Sequence, residues 1–385
     1  MHYLFETEEH AAIRQTMRRF AQAHIAPKSA EWEEAEEFPI ELYKQACAAG
    51  IVGVGYPESV GGQGGDLSHV LVASDEMVIA GRSVGVVVGL GSHGIALPPI
   101  IRFGTPEQQA RFVKPCLSDG KIAALAVTEP GGGSDVANIS TRATRAGDGD
   151  HYVVTGAKTF ITSGTRADFV TCAVRTGGNG HGGISLLVIE KGTPGFSVSK
   201  KLRKTGWWAS DTAELHFDGC RVPVANRIGP ENGAFPMIMV NFAGERLMLA
   251  GQCVAIAELA YREAIAYARE RQAFGKPLTG FQVTRHKLAD MASRLAAARA
   301  LTGEAVVRVM KPGGDLKATG LAAMAKNVAT DMCSFVCDQA VQIHGGYGYM
   351  RETLVERLYR DARLYPIGGG TREIMNEVIA KIEGY

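Results

Sequence analysis

Two changes of rhythm along the chain constrain its fold more than any single residue does. Up to about residue 120, apolar residues recur with the 3.6-residue period of a helix. "EEHAAIRQTMRRFAQAHIAP" and "PIELYKQACAAG" each carry one apolar stripe and stop at Pro or Gly. "PEQQARFVKPCLSDG" opens on Pro, closes on Gly and predicts another amphipathic helix. The nearly all-apolar run "HVLVASDEMVIAGRSVGVVVGLGSHGIALPPII" predicts a buried helix pair. Past residue 120 the runs become short and β-branched: "KIAALAVTE", "HYVVTGAKTFITS", "DFVTCAVRT", "GISLLVIEKG", "GFSVSK" and "AELHFDGCRVP". Gly and Asp punctuate them, which predicts a compact antiparallel β domain. From Gly229 the helical rhythm returns in long, Ala-rich segments ending with "TREIMNEVIAKI".

The chain therefore reads as mainly α with a central β domain. The expected division is a helical domain over 1–120, a β domain over 121–228 and a helical bundle over 229–385. Gly-rich breaks at the joints suggest a ligand held between lobes.

Composition removes several alternatives. The 385 residues carry a net charge of +1, so neither nucleic acid nor an anionic membrane is expected as the main partner. No apolar run reaches the length of a membrane span. The first 22 residues already follow a helical pattern and include acids, unlike a signal or transit peptide. The seven cysteines are odd in number and scattered, as reduced thiols are. Cys333 and Cys337 share a helical face, with His344 beyond. Small buried residues account for them better than a metal does, and no metal site is expected.

Two segments carry chemistry. "AVTEPGGGSDVAN" (126–138) follows a predicted strand, and its glycines free the backbone to lie against a flat heterocycle or a phosphate. Taken alone it is also an ordinary Gly-rich turn. In "QIHGGYGYMRETLVERLYRDARL" (342–364) a Gln ends a helix, a Gly pair makes a break, and charged residues follow at helical intervals. Together the two resemble both signatures of the acyl-CoA dehydrogenase family. The second matches at Gln342, Gly345, Gly346, Gly348, Tyr349, Glu352, Arg357 and Asp361. The first departs only at Asn138, where a small residue is usual. "ERQAFGKPLTGFQ" resembles the family's segment that reaches a neighbouring subunit's flavin nucleotide. "KTFITSG" resembles its K-x-W-I-T-N-G strand, and "KTGWWASDTAELHFDGCRVP" its S-D-T strand pair.

The resemblance covers essentially the whole chain and implies a homotetramer, a dimer of dimers, with FAD as cofactor. It implies that Leu125, Val127, Thr128, Gly133 and Ser134 line the flavin, with Ser134 also touching substrate. Thr162 would sit at flavin N5, and Phe160, where Trp is frequent, would cover one ring face. Arg271 would meet the pyrophosphate. Phe274, Gln282, Gln342, Gly345, Gly346, Thr371 and Glu373 would complete the nucleotide site.

The family's reaction removes an α-proton from an acyl-CoA thioester and passes the β-hydrogen as hydride to the flavin. It needs a carboxylate base and a donor for the thioester oxygen. Many members carry the base in I-Y-E-G-T. Here the stretch is Ile367-Gly368-Gly369-Gly370-Thr371, so Gly369 supplies only a backbone N–H, and its missing side chain is expected to leave room near the reacting carbons. The long-chain and isovaleryl branches carry Glu in an E-R-L run instead, and Glu245-Arg246-Leu247 matches it. Glu245 is thus the expected base; the bland alternative is an acid in a helix's first turn, favoured by the dipole. Arg246 and Gly370 would border the substrate. Ala243 replaces an Asp often found near CoA. Trp207 and Trp208 either wall the substrate channel or pack between lobes. His93 is expected to be a hydrogen-bonded structural histidine.

The resemblance implies a trans-2-enoyl-CoA product from a long or branched acyl-CoA, and an electron-transferring flavoprotein as acceptor. An acyl-CoA oxidase and a non-dehydrogenating lyase are the alternatives on this fold. A bacterial cytoplasmic location is expected, with a processed mitochondrial matrix form as the other choice.

Overall fold

The computed structural model describes residues 2–147, 149–311 and 316–385, without the Ala243 side chain, so the expected loss of a CoA contact at Ala243 lies outside the described residues. The N-terminal part is helical: α1 (Glu8–His24), α2 (Leu67–Gly81) and α3 (Val84–Leu90), with short helical turns between them. Met17, Phe20 and Ala21 of α1 bury against Met77 and Val78 of α2 in the largest apolar cluster. The expected helix pair is more fragmented than its apolar run implies. Past α3 come two single turns, His93–Ala96 and Pro98–Phe103, because Gly91, Gly94 and two prolines interrupt the hydrogen-bond ladder. The helix expected at "PEQQARFVKPCLSDG" is likewise divided. Gln109–Val113 forms a π-turn before Lys114–Ser118, and Pro115 just beyond it has no N–H to continue the ladder.

The central sheet contains β1 (Ala123–Ala126), β2 (Arg142–Arg145), β3 (His151–Thr162), β4 (Phe169–Arg175), β5 (Ile184–Glu190), β6 (Phe196–Lys201), β7 (Thr212–Pro223) and β8 (Arg227–Ile228). The strand order is β6-β7-β3-β2-β4-β5-β8, with β1 beside β4. The sheet is mainly antiparallel, as expected, with two parallel contacts that the sequence reading did not include. β1 runs parallel to β4, and β2 meets β4 in parallel at one residue pair. Pairing direction depends on the route between strands, and the local pattern does not record it. Strands β4 and β5 are buried on both faces and read as unbroken apolar runs.

The C-terminal part holds α4 (Ala234–Glu270), a two-stranded hairpin, β9 (Gln272–Ala273) with β10 (Lys276–Pro277), then α5 (Gln282–Val309), α6 (Leu316–His344), α7 (Leu354–Ala362) and α8 (Arg372–Glu383). Buried alanines explain how the long helices approach closely: Ala250, Ala257, Ala260 and Ala264 on α4, Ala329 and Ala340 on α6. α4 begins five residues into the region where the helical rhythm returns, at Ala234. Pro236 falls in its first turn, where a missing N–H costs nothing. At about 1.5 Å per residue α4 is about 55 Å long. Its start packs against the sheet through Met237 and Ile238, which share a cluster with Val127 and Ile228. It therefore connects the β domain to the bundle, and functional side chains on its first third face both.

Candidate active site

The end of β1 and the outer end of β3 form the first half of the site. Lys158 on β3 is fully buried, and its ammonium donates to the Val127 carbonyl at 2.9 Å and to Glu129 Oε1 at 2.8 Å. Glu129 also accepts from the Ser140 N–H and hydroxyl, both 2.6 Å, and from the Thr141 N–H at 2.8 Å. Burial pushes the Glu129 carboxyl upward, but the Lys158 charge and these hydrogen bonds overcome it and hold it down at about 2. This knot fixes both ends of the Gly-rich turn. The Thr159 N–H ties the strands together by donating to the Thr128 carbonyl at 2.9 Å.

Between Lys158 and Ile161 the pairing of β3 with β7 slips. There Phe160 takes φ +61°, a conformation L-residues avoid, and its ring is 68% exposed. An exposed aromatic held by a strained backbone beside Thr162 presents a ring face on which a flat group can stack. On the turn, a Cβ on Gly131 or Gly132 would touch nothing, and one on Gly133 would meet only Thr128 Cγ2 at 3.4 Å. The structure thus brings Leu125, Val127, Thr128, Gly133, Ser134, Phe160 and Thr162 to the region where β1 and β3 end. The Asp211 carboxylate secures the far side, accepting from the Thr165 N–H and hydroxyl and from Arg166 Nε.

The second half lies where α4 meets the loop between α7 and α8. Glu245 is the twelfth residue of α4, not part of its first turn, so helix-dipole stabilisation does not explain it. Gly369 faces it: a Cβ built on Gly369 would lie 3.5 Å from Glu245 Oε1. Glu245 Oε2 is buried without a hydrogen-bond partner among the described residues. Burial raises its carboxyl to about 7, against the pull of the Lys326 and Arg246 charges. A carboxylate poised near neutrality with an unpaired oxygen suits proton abstraction. Arg246 Nη2 would be 4.0 Å from a Cβ on Gly370. The Gly369 N–H donates to nothing among the described residues, which leaves it free for an oxygen of a ligand.

The space expected to open at Gly369 is filled. A Cβ there would come within 2.4 Å of Leu249 Cδ1, one helical turn beyond Glu245. Gly368 does open space, since a Cβ on it would meet nothing closer than 3.8 Å. Lys326 on α6, 1% exposed, anchors the loop by donating to the Gly368 carbonyl at 2.6 Å and to the Gly370 carbonyl. Thr371 caps α8 with its hydroxyl, accepting from the Ile374 N–H at 3.3 Å. Phe242, one turn before Glu245, packs in one cluster with Leu125 and Val127, and this contact joins the two halves.

The remaining predicted residues lie apart from these. Arg271, Gly345 and Gly346 line a separate cavity of about 540 Å³ with Tyr267 and Met350. Gln282 borders a groove of about 610 Å³ between α5 and α6. Phe274 stands 96% exposed at the hairpin tip. Gln342 is exposed in the last turn of α6, which runs on to His344 rather than ending at the Gln, and Glu373 is exposed in the first turn of α8.

Both tryptophans pack between lobes. The Arg360 and Arg351 guanidinium groups both lie over the Trp208 ring, at 3.7 and 4.3 Å from its centroid. Trp207 is buried against Tyr365, centroids 5.3 Å apart, and its backbone N–H donates to Asp361 Oδ1 at 2.6 Å. His93 is buried, with the Lys121 backbone near enough to pull against its desolvation but no ring nitrogen within close hydrogen-bond geometry among the described residues, and burial lowers it to about 4. His344 stacks on Tyr267 and bonds the Ala340 carbonyl. Sequence reasoning missed Lys158, Lys326, Glu129 and Leu249. A lone lysine inside "LAAMAKNVATDM" was the available signal for Lys326.

Family models described as the N-terminal, middle and C-terminal domains of acyl-CoA dehydrogenase match residues 7–120, 124–220 and 232–383. The chain is 38% identical over 379 residues to the long-chain specific acyl-CoA dehydrogenase, mitochondrial, of Rattus norvegicus, covering 97% of this chain and 86% of that one. It is also 38% identical over 375 residues to the isobutyryl-CoA dehydrogenase, mitochondrial, of Bos taurus, covering 97% and 89%. A crystal structure described as a probable acyl CoA dehydrogenase from Mycobacterium abscessus superposes with TM-score 0.95 at 52% identity, over 97% of this chain and 98% of the other. An acyl-CoA dehydrogenase complexed with FAD from Bacillus anthracis gives TM-score 0.91 at 30% identity, over 98% and 68%.

Proposed function

The chain belongs to the acyl-CoA dehydrogenase family, and from that premise we propose an FAD-dependent enzyme in which Glu245 takes the α-proton of the acyl-CoA. One observation carries the reading: the Glu245 carboxylate reaches the space in front of Gly369, where a Cβ would lie 3.5 Å from Oε1. An acid on α4 and an acid on the loop would therefore serve the same atom, and only the first is present.

The geometry supports a role for each residue in this reading. Glu245, raised to about 7, accepts the proton. The Gly369 N–H donates to the thioester oxygen as negative charge develops there. Phe160, Thr128 and Thr162 fit a flat heterocycle with polar edges, and the open Gly131–Gly133 turn fits its close approach. Bound there, FAD would supply the acceptor for the β-hydride. Ser134 and Arg246 border the acyl-CoA in this reading.

A homotetramer is supported by exposed Phe274, Tyr347 and Tyr349 and by the separation of Arg271 from the first half of the site. A long acyl chain is supported by the 38% identity to a long-chain specific acyl-CoA dehydrogenase and by the open space at Gly368. The filled space at Gly369 removes one argument for branching near the reacting carbons. Electron-transferring flavoprotein is the proposed acceptor. Among the described residues no single helix is long and apolar enough to cross a membrane; a bacterial cytoplasmic location stays part of the proposal.

The test is anaerobic titration of the yellow protein with a series of acyl-CoAs, beside Glu245→Gln. Long chains are expected to bleach the wild-type flavin most readily, and the variant is expected to keep its flavin and stay yellow. Normal bleaching in Glu245→Gln would reject the assignment.

A further inference from the structure

We propose that Lys326 is a positioning residue that aims the Gly369 N–H at the substrate oxygen. The inference rests on the reading of the site given above and concerns a residue that touches no reacting atom.

Lys326 lies on the buried face of α6, among Ala322, Ala323, Ala325 and Ala329. An ammonium in such surroundings is costly unless it is satisfied. Lys158, the other fully buried lysine, has Glu129 as a partner. Lys326 has no ion pair among the described residues, and its donors go to the carbonyls of Gly368 and Gly370. These are the two carbonyls that bracket Gly369.

Peptide geometry converts that hold into a direction. All described peptides are trans, so the Gly368 carbonyl and the Gly369 N–H point to opposite sides of one rigid plane. Fixing the carbonyl on Lys326 turns the N–H away from α6, where it has no partner. Holding the Gly370 carbonyl fixes the Gly370–Thr371 plane as well, so the Gly369–Gly370 peptide between the two held planes is restrained from both sides. Gly369 and Gly370, at φ +65° and +96°, take the left-handed conformations that let both carbonyls converge on one ammonium. Without that anchor a three-glycine loop has wide conformational freedom. The ammonium also polarises the Gly368–Gly369 amide, which strengthens its N–H as a donor. Glu245, Arg246 and Cys253 are the titratable groups whose fields reach Lys326.

The experiment uses the flavin-loaded protein with Lys326→Met, which removes both donors, and Lys326→Gln, which restores one. Turnover with a long-chain acyl-CoA gives kcat and KM. A 3-thia-acyl-CoA gives a second readout without turnover: its bound enolate shows a long-wavelength charge-transfer band, and the pH at which the band appears reports stabilisation of the oxygen. Loss of one preorganised donor costs about 10²–10³ in rate. We expect kcat of Lys326→Met to fall by that factor with KM nearly unchanged. The band should move to pH higher by at least one unit, and Lys326→Gln should recover part of both.

Wild-type kcat and an unmoved band in both variants would overturn the inference. So would failure of both to fold, since the lysine would then be a packing element. Glu245→Gln separates the two claims. If it turns over normally, the assignment of the base falls. If it is inactive while the Lys326 variants are normal, only the role of Lys326 falls.

Discussion

Glu129 at the end of β1 and Glu245 on α4 both feel the charge of a buried lysine, yet their surroundings move them in opposite directions. Glu129 accepts four hydrogen bonds from Lys158, Ser140 and Thr141 and is held near 2. Glu245 leaves one oxygen unpartnered and is raised to about 7. Lys158 points at its carboxylate, whereas Lys326 gives its hydrogen bonds to backbone carbonyls. The difference separates an acid that holds a turn from an acid free to exchange a proton. The fold satisfies the first completely and leaves the second exposed to its own desolvation.

The largest way to break this comparison is Glu245→Gln. Removing a general base costs 10²–10⁴ in rate, and with no second acid at residue 369 we expect at least about 10³ in kcat, measured by stopped-flow flavin reduction. Next is Glu129→Ala, which leaves the Lys158 ammonium buried and unpaired. A broken buried pair costs about 3–5 kcal/mol, which a urea titration should show, together with weakened flavin binding as the turn loosens.

Stability against pH sharpens the comparison further, with opposite signs. The Glu129 carboxyl is lowered from 4.5, so its contribution is present above pH 4.5 and is lost as pH falls toward about 2. The Glu245 carboxyl is raised from 4.5, so its contribution is full below pH 4.5 and is lost as pH rises through about 7. Glu245→Gln should therefore melt higher than the wild type above pH 7, by up to about 3 kcal/mol in stability. The two should converge near pH 4, which thermal melts of the substrate-free protein would reveal. The kcat/KM of the wild type should rise through about pH 7. The smallest expected effect is at Gly369→Ala, where positive φ and the Leu249 methyl together cost about 1–2 kcal/mol. Combining it with Leu249→Ala in a double-mutant cycle should show coupling of about 1 kcal/mol.

The two glutamates also mark how far the sequence carries. The three-part architecture followed from rhythm, because β1 and β3–β7 are short apolar or alternating runs and the bundle helices are long and Ala-rich. β2 was not legible: "RATR" has one buried position and exposed arginines at its ends. Glu245 was legible only because the E-R-L run and the missing acid at residue 369 could be compared with relatives. Glu129 and the buried lysines were not, since a charge is legible as buried only once its partners are folded around it.

The methyl of Leu249 sets the terms on which this pocket can change over generations. Returning the acid to residue 369 by one substitution would drive it into that methyl beside an existing carboxylate. Removing Glu245 first would leave no acid at all. The first step places two carboxylates against one crowded methyl and the second leaves none, so moving the acid between loop and helix is smoothest when residues 245, 249 and 369 change together.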